Sequence, residues 1–177
     1  MIKEKLYKNN LLDISMIKYS LIAAVAKNWV IGNGIKIPWY ISEDFKLFKE
    51  KTTDSVVIMG ETTWNSLPEN VRPLPNRINI VLTKNTELKL DGATVCNSIE
   101  DGLNEASKYD KEIFIMGGAS IYRQTIEGAS ALYISHVKKE YEGDVFFPEF
   151  DASEYNVLEE KEYDEFTFKK YEKIKNS

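Results

Sequence analysis

Four short and nearly continuous apolar segments constrain the fold of this chain more than any other feature of its sequence. They read Y-S-L-I-A-A-V-A from Tyr19 to Ala26, S-V-V-I-M-G from Ser55 to Gly60, R-I-N-I-V-L-T from Arg77 to Thr83, and E-I-F-I-M from Glu112 to Met116. Runs of this length without polar alternation are typical of strands that are covered on both faces. Because helical patterns separate them, the sequence predicts an α/β fold with a mostly parallel central sheet of about eight strands and about four flanking helices.

The C-terminal part of the chain follows a different pattern. Segments 131–138, 144–147, 155–163 and 166–174 have strand character with little helix between them, so we expect an antiparallel edge there. The chain has 177 residues, 43% of them hydrophobic, which suits one domain with a substantial core. We expect this domain to span residues 16–177, because Met16 begins a cleaner sequence. Residues 1–15 are then an extension, an upstream start or a short amphipathic helix.

Charge and cysteine content argue against several classes of protein. The chain has 23 basic and 28 acidic residues, a net charge of -5, without the basic and aromatic clusters of a nucleic-acid surface. Cys96 is the only cysteine and His136 the only histidine, so we expect no disulfide and no metal site. Residues 1–15 are charged throughout, and nothing resembles a membrane span. A cytoplasmic protein without nucleic-acid or membrane partners is expected.

One acidic residue, Asp44, lies within an apolar helical stripe. We expect Ser42 to cap a helix whose first turn holds Asp44, where the helix dipole favours negative charge. One side of this helix carries Ile41, Asp44, Phe45, Leu47 and Phe48. A carboxylate among these side chains is partly desolvated, which raises its pKa and favours a multiply donating partner such as an amidine-like ring edge. On the helix alone, an exposed acid at the helix start is the simpler interpretation.

The segment before this helix has the features of a lid. Gly32 and Gly34 allow close backbone approach, Pro38 ends the segment, and Trp39 places an indole beside the acid. A mobile loop that leads into an acid on an apolar face is typical of a lid over a small-molecule site. An ordinary strand-to-helix connection is the alternative.

Paired glycines, Gly117 and Gly118, lie between a buried strand and a helix that we expect to begin near Ala119. They would let the backbone approach a phosphate or pyrophosphate, although a tight turn explains them equally well because the full G-x-G-x-x-G fingerprint is absent. Hydroxyl and lysine side chains at neighbouring strand ends could also hold a nucleotide phosphate, or could simply be capping and solvated residues. Arg77 could bind a carboxylate in bidentate fashion. His136 lies in a strand pattern, which favours a structural role.

Taken together, eight motifs resemble the dihydrofolate reductase family. In family order they are S-L-I-A-A-V-A, V-I-G-N-G-I-K-I-P-W, E-D-F-K-L-F-K, V-I-M-G-x-x-T-W, R-P-L-P-N-R, I-F-I-M-G-G-A-S-I-Y, L-Y-I-S-H-V and E-G-D-V-F-F-P, and they cover residues 18 to about 175. The resemblance implies reduction of 7,8-dihydrofolate to tetrahydrofolate, with a hydride passing from NADPH to the pterin and a proton added at the neighbouring ring nitrogen. It also implies binding of antifolate inhibitors and a monomeric state.

The resemblance further implies roles for individual residues around the substrate. Asp44 matches the sole catalytic carboxylate, which hydrogen-bonds the pterin and promotes its protonation. Ser135 matches the hydroxyl that supports the acid and the pterin, and Trp39 matches an indole that contacts them through water. Arg77 matches the arginine that binds the glutamate carboxylate of the substrate. The apolar walls around the pterin and benzoyl rings match Ile22, Ala24, Leu47, Phe48 and Leu67.

On the cofactor side, the resemblance implies a nicotinamide and phosphate site. Val30 to Trp39 match the lid of the family, Gly117-Gly118 match its cis peptide, and Thr83-Lys84 match a phosphate-binding pair. The residues expected to line the cofactor are Ala24, Ile31, Gly32, Ile37, Gly60, Thr62, Thr63, Thr83, Lys84, Met116, Gly117, Gly118, Ala119, Ser120, Ile121 and Tyr122.

One position departs from the family pattern. Many members carry a basic pair after the glycine at position 60 that binds the 2'-phosphate of NADPH, whereas this chain has Glu61-Thr62. An acid there would repel the phosphate and could favour NADH, although NADPH is the expected cofactor. A reductase of the same fold that acts on a ribosylated pyrimidine in riboflavin synthesis is a second possibility, against which Asp44 and R-P-L-P-N-R argue. A nucleotide-binding module without catalysis is a third, against which the intact acid, lid and Gly-Gly pair argue.

Overall fold

The computed structural model describes residues 13–176 of the chain. Its strands are β1 (Ser20–Val25), β2 (Val30–Gly32), β3 (Val56–Gly60), β4 (Ile78–Leu82), β5 (Thr94–Cys96), β6 (Ile113–Ile115), β7 (Ala131–Val137), β8 (Val145–Phe146), β9 (Tyr155–Glu162) and β10 (Phe166–Lys173). Its α-helices are α1 (Ser42–Thr52), α2 (Glu61–Ser66), α3 (Ile99–Ala106) and α4 (Ala119–Thr125). Single 3-10 turns occur at Ile14–Met16, Glu69–Val71, Ile126–Gly128 and Ala152–Glu154.

Eight of the strands form one sheet, in the order β5-β4-β3-β6-β1-β7-β10-β9. The first six run parallel, while β10 is antiparallel to both β7 and β9. The predicted α/β class, the mostly parallel sheet and the antiparallel C-terminal edge are therefore confirmed. Segment 144–147, however, does not join this edge. Its strand β8 pairs with β2 in a separate two-stranded sheet, because the segment lies against the loop that follows β1.

The core lies on both faces of the sheet, as expected for buried parallel strands. Successive side chains of a strand point to opposite faces, so Leu21 packs in one apolar cluster and Ile22 in the other. In β3, Val56 and Ile58 face the first cluster, and Val57 and Met59 face the second. The near-continuous apolar sequence of these strands follows from this burial on two sides.

The start of α1 differs from the prediction. Ser42 is the first helical residue and not the cap, and the capping position is taken by Ile41 in an extended conformation, without a side-chain cap hydrogen bond. Ile41 is only 2% exposed, so burial of this side chain determines where the helix begins. At α3 a side chain does cap the helix, since the backbone N–H of Asp101 donates to the Ser98 hydroxyl at 3.0 Å.

The expected N-terminal extension lies mostly outside the described residues. Of residues 1–15, the structure describes only the last three, where the Asp13 carboxylate accepts a hydrogen bond from the Ser15 backbone at 3.0 Å. Among the helices of residues 13–176, none has the length and apolar character needed to cross a bilayer.

Candidate functional site

The Asp44 carboxyl group lies beside Ser135, beneath the first turn of α1. Ser135 is 5% exposed and is paired in register with Ala24 of β1, so α1 and the two central strands meet at this point. Burial raises the pKa of Asp44 above its ordinary value, and the Ser135 hydroxyl partly offsets this effect because it stabilises the charged form. The predicted desolvated carboxyl is therefore present, with a hydroxyl beside it.

An apolar wall surrounds this acid. It belongs to a single core cluster, in which Ile22 and Leu47 are buried and Ala24, Trp39, Phe48, Leu67 and Met116 are partly buried. Phe45, the next residue along α1, is 44% exposed, and its ring lies 5.3 Å from that of Tyr40. Partly exposed apolar side chains around one acid suit a flat heterocycle with polar edges.

The segment between β2 and α1 is fixed to the loop before β8. The Gly34 backbone N–H donates to the Asp144 carboxylate at 2.8 Å, and the Asp144 N–H donates to the Gly32 carbonyl at 3.2 Å. A Cβ atom on Gly143 would lie 2.4 Å from that carbonyl oxygen, so only glycine permits this approach. Both residues belong to the motif E-G-D-V-F-F-P, but the local pattern of this motif did not indicate that Gly143 and Asp144 are partners of the lid.

Not every lid residue faces the acid in this structure. Ile37 was expected at the nicotinamide site but is 51% exposed. The Trp39 ring lies 5.0 Å from that of Tyr141, and the Asn28 amide donates to the Tyr141 carbonyl at 2.9 Å. The base of the lid is thus packed, while its apolar tip points to solvent.

Arg77 is held in place at the far end of α1. Its Nε donates to the Pro75 carbonyl at 2.9 Å and its Nη1 donates to the Thr52 hydroxyl at 3.0 Å. The guanidinium lies 5.9 Å from the centre of the Phe48 ring. Burial lowers the pKa of Arg77, although a guanidinium stays protonated in proteins. The arrangement orients one planar cation beside the apolar wall.

The Gly117-Gly118 pair forms a second part of the site, beside β1. Its peptide bond is cis, and Gly117 has φ of 127°. The Gly60 N–H donates to the Gly117 carbonyl at 2.9 Å, and a Cβ atom on Gly117 would lie 3.1 Å from the Thr63 hydroxyl. The Tyr122 hydroxyl donates to the Ile22 carbonyl at 2.7 Å, which connects α4 to β1. A close-packed backbone cradle of this kind suits a phosphate group.

The other predicted cofactor residues surround this cradle or lie further along the same edge. Ile31, Ile121 and Tyr122 pack in the apolar cluster on the face of the sheet opposite the apolar wall around Asp44, and Ile121 lies against Gly60. Ser120 is exposed and its hydroxyl accepts from Gln124 at 3.1 Å. The remaining side chains that were expected at the phosphates, Thr62 and Lys84, are exposed.

An unexpected contact joins the ends of β3 and β4. Gly60 and Leu82 are paired in register, so Glu61 and Thr83 follow side by side, and the Thr83 hydroxyl donates to the Glu61 carboxylate at 2.5 Å. The same hydroxyl accepts from the Asn85 backbone N–H at 3.1 Å. Residue spacing alone did not indicate this pairing.

His136 lies apart from the acid. It follows Ser135 in β7, so its side chain points to the opposite face of the sheet, where its Nε2 lies 2.7 Å from the Tyr171 hydroxyl. Burial lowers the pKa of His136 to about 4. This environment supports the structural role expected from the sequence. Within residues 13–176, no group of three or more His, Cys, Asp or Glu side chains could hold a metal ion.

Comparisons with known proteins give a consistent result. The family model described as dihydrofolate reductase matches residues 18–174. A dihydrofolate reductase of Buchnera aphidicola is 45% identical over 77% of this chain and 82% of its own length. That of Bacillus subtilis is 38% identical over 89% of this chain and 95% of its own length. A solved dihydrofolate reductase from Enterococcus faecalis, complexed with NADP(H) and RAB-propyl, is 32% identical with a TM-score of 0.79, covering 88% of this chain and 96% of that one.

Proposed function

The chain belongs to the dihydrofolate reductase family, and we propose that it reduces 7,8-dihydrofolate to 5,6,7,8-tetrahydrofolate with NADPH as the hydride donor. It is thus an oxidoreductase of one-carbon metabolism. The observation that carries this function is the desolvated Asp44 carboxyl group beside Ser135, inside an apolar wall and next to a glycine cradle.

Asp44 would bind the amidine-like edge of the pterin and support addition of a proton at the neighbouring ring nitrogen. Its raised pKa favours a carboxyl group that can hold and share a proton at a pH where an ordinary aspartate cannot. Ser135 would orient this group through its hydroxyl, and Trp39 would contact acid and substrate through water. His136 would take no part in this step, since its side chain points to the other face of the sheet.

The remaining substrate contacts would follow the apolar wall towards Arg77. Ile22, Ala24, Leu47, Phe48 and Leu67 would enclose the pterin and benzoyl rings. The guanidinium of Arg77 would bind the glutamate carboxylate, because its contacts to Pro75 and Thr52 leave its Nη2 edge for a ligand. The same pocket would bind antifolates.

NADPH, when bound, supplies the hydride. The cradle fits its pyrophosphate, because Gly117 and Gly118 present backbone in place of side chains beside the Thr63 hydroxyl and at the N-terminus of α4. Ala24, Ile31, Gly32, Ile37 and Met116 would line the nicotinamide. The lid would exclude bulk water from the site. The site would be completed by Gly60, Thr62, Thr63, Thr83, Lys84, Gly118, Ala119, Ser120, Ile121 and Tyr122.

We further propose a catalytic domain over residues 16–177, with residues 1–15 as an extension, working as a monomer in the cytoplasm. The family match from residue 18 supports the domain boundary. The monomeric state is what the resemblance to the family implies. The single cysteine of the sequence, Cys96, is buried, which is compatible with a reducing compartment.

The test is an absorbance assay of the purified full chain with NADPH and dihydrofolate. We expect turnover in the wild type. In Asp44→Asn we expect kcat to fall by roughly 100-fold or more, because general acid support typically contributes at least that much. The dissociation constant for NADPH should stay unchanged. The control is Glu43→Gln, which neutralises the exposed neighbour of Asp44 and should leave kcat unchanged. Undiminished turnover in Asp44→Asn would refute the assigned role of the acid.

A further inference from the structure

The order of the strands places Glu61 and Thr83 at one end of the cofactor site. Along the carboxyl edge of the sheet, β1 is followed by β6, β3 and β4, with about 4.8 Å between neighbours. The nicotinamide would lie by Ala24 of β1, and the pyrophosphate would lie on the cradle between β6 and β3. An extended dinucleotide therefore brings its adenosine ribose to the next gap, between β3 and β4. Glu61 and Thr83 stand directly after these two strands.

We propose that Glu61 determines nucleotide specificity and narrows the preference of this enzyme for NADPH over NADH. NADPH differs from NADH only by a phosphate on the 2'-oxygen of that ribose. A carboxylate at a strand end accepts a hydrogen bond from the free 2'-hydroxyl, whereas a cation is needed to favour a 2'-phosphate. The inference rests on the proposed function, because it takes the orientation of the cofactor from the positions of Asp44 and the cradle.

The contacts of Thr83 strengthen this inference. A hydroxyl group has one hydrogen to donate, and that of Thr83 is directed to Glu61, while its oxygen accepts from the Asn85 N–H. Thr83 therefore holds the Glu61 carboxylate in place and has no hydrogen left for a phosphate oxygen. When a 2'-phosphate binds, either Glu61 and Thr83 must separate or the phosphate must lie close to the Glu61 carboxylate. Both outcomes reduce the affinity for NADPH.

Lys84 explains why the preference is narrowed and not reversed. Segments 61–63 and 83–85 read E-T-T and T-K-N, so they contain one cation and one anion. Lys84 is exposed and can turn towards a phosphate in solvent, where an ammonium acts as a point charge. With these two opposite charges at one end of the site, the enzyme keeps only a small preference for NADPH over NADH.

The experiment compares kcat/KM for NADPH and for NADH at saturating dihydrofolate in three variants. We expect Glu61→Gln to raise the NADPH to NADH ratio about fivefold or more, since it keeps the size of the side chain and removes its charge. Glu61→Lys should raise the ratio further. Glu172→Gln is the control, because it removes an exposed charge from β10, opposite the first residue of β7 and so at the other edge of the sheet. A ratio that moves by less than twofold in both Glu61 variants would overturn the inference.

A binding measurement separates this inference from the proposed function. Adenosine 2',5'-bisphosphate and adenosine 5'-monophosphate contain the adenosine end alone and differ by the 2'-phosphate. Calorimetry should show that Glu61→Gln and Glu61→Lys tighten binding of the bisphosphate selectively. Failure of the chain to reduce dihydrofolate would refute the proposed function alone. The binding result for the two adenosine probes would still support the role of Glu61. Equal effects on both probes would overturn the role of Glu61.

Discussion

The Asp144 carboxylate accepts a hydrogen bond from the Gly34 N–H at 2.8 Å and so joins two loops that are 110 residues apart in the sequence. The strands β2 and β8 pair beside this contact, and the Gly32 carbonyl approaches Gly143 closely. Together these contacts set the position of the segment that leads to Trp39 and the acid. The conformation of the lid therefore depends on a residue that lies outside it.

We expect Asp144→Ala to lower the rate of dihydrofolate reduction about threefold to tenfold. A hydrogen bond to an exposed carboxylate contributes roughly 1 kcal/mol, which corresponds to this range. Its loss should depopulate the arrangement of the lid that covers the site. Single-turnover kinetics measure the change in rate, and denaturation measures the change in stability.

The matched control is Asp164→Ala, which removes an exposed carboxylate from the turn between β9 and β10. It should alter neither the rate nor the affinity for NADPH. If both variants lowered the rate equally, the effect would come from net charge and not from the contact with Gly34.

The sequence predicted those features that depend on local pattern. The four apolar segments appear as β1, β3, β4 and β6 at the centre of the sheet, because burial on both faces leaves a direct signature in composition. The apolar stripe likewise placed Asp44 among apolar side chains, since the periodicity of a helix fixes which residues share a face. The helix alone still favoured an exposed acid, and the family resemblance was needed to prefer a desolvated one.

Features that depend on pairing between distant segments were not predicted. The contact of Glu61 with Thr83 requires the register of β3 on β4, and that of Gly34 with Asp144 requires the pairing of β2 with β8. The start of α1 was displaced by one residue because tertiary burial of Ile41 overrode the capping preference of Ser42. No local pattern carries this information.

Asp44 should cost the enzyme stability at neutral pH. Burial raises the pKa of Asp44 in the folded chain above its value in the unfolded chain, near 3.8. Between these two pKa values the unfolded chain has already lost the proton that the folded chain keeps. The free energy of unfolding therefore falls as pH rises through this range. Asp44→Asn removes this effect. We expect its free energy of unfolding to exceed that of the wild type at neutral pH, and the difference to vanish below the unfolded pKa.

Urea denaturation at several pH values measures this difference. Asp54→Asn is the comparison variant, because it makes the same substitution at an exposed aspartate that forms a surface ion pair with Lys111. An Asp44→Asn variant less stable than the wild type at neutral pH would show that the ionised carboxyl group is stabilised by contacts that outweigh its desolvation.

Arg77→Lys should weaken dihydrofolate binding through the glutamate tail. A lysine cannot reproduce the planar fork that Pro75 and Thr52 orient, so it offers a carboxylate a single charge without bidentate geometry. We expect KM for dihydrofolate to rise about tenfold or more with little change in kcat, because loss of one bidentate contact costs on the order of 1–3 kcal/mol.

Two comparisons make this measurement specific. A dihydropterin without the benzoylglutamate group should be reduced equally well by the wild type and by Arg77→Lys. Arg123→Lys, on the exposed surface of α4, should leave KM unchanged for both substrates. If Arg77→Lys raised KM for the truncated dihydropterin as much as KM for dihydrofolate, Arg77 would act on the shape of the pocket and not on the glutamate tail.

His136 should make stability, but not catalysis, depend on pH in mildly acidic solution. The folded pKa is lowered to about 4 from the ordinary value of 6.5. As pH falls below the ordinary value, the unfolded chain takes up a proton first, so the free energy of unfolding declines until the folded pKa is reached, by up to about 3 kcal/mol. His136→Gln keeps a polar partner for Tyr171 and should abolish this decline. Denaturation across that window measures it, and turnover at neutral pH should stay within twofold of the wild type. A large loss of turnover would instead assign His136 a part in the reaction, despite its position on the opposite face from Asp44.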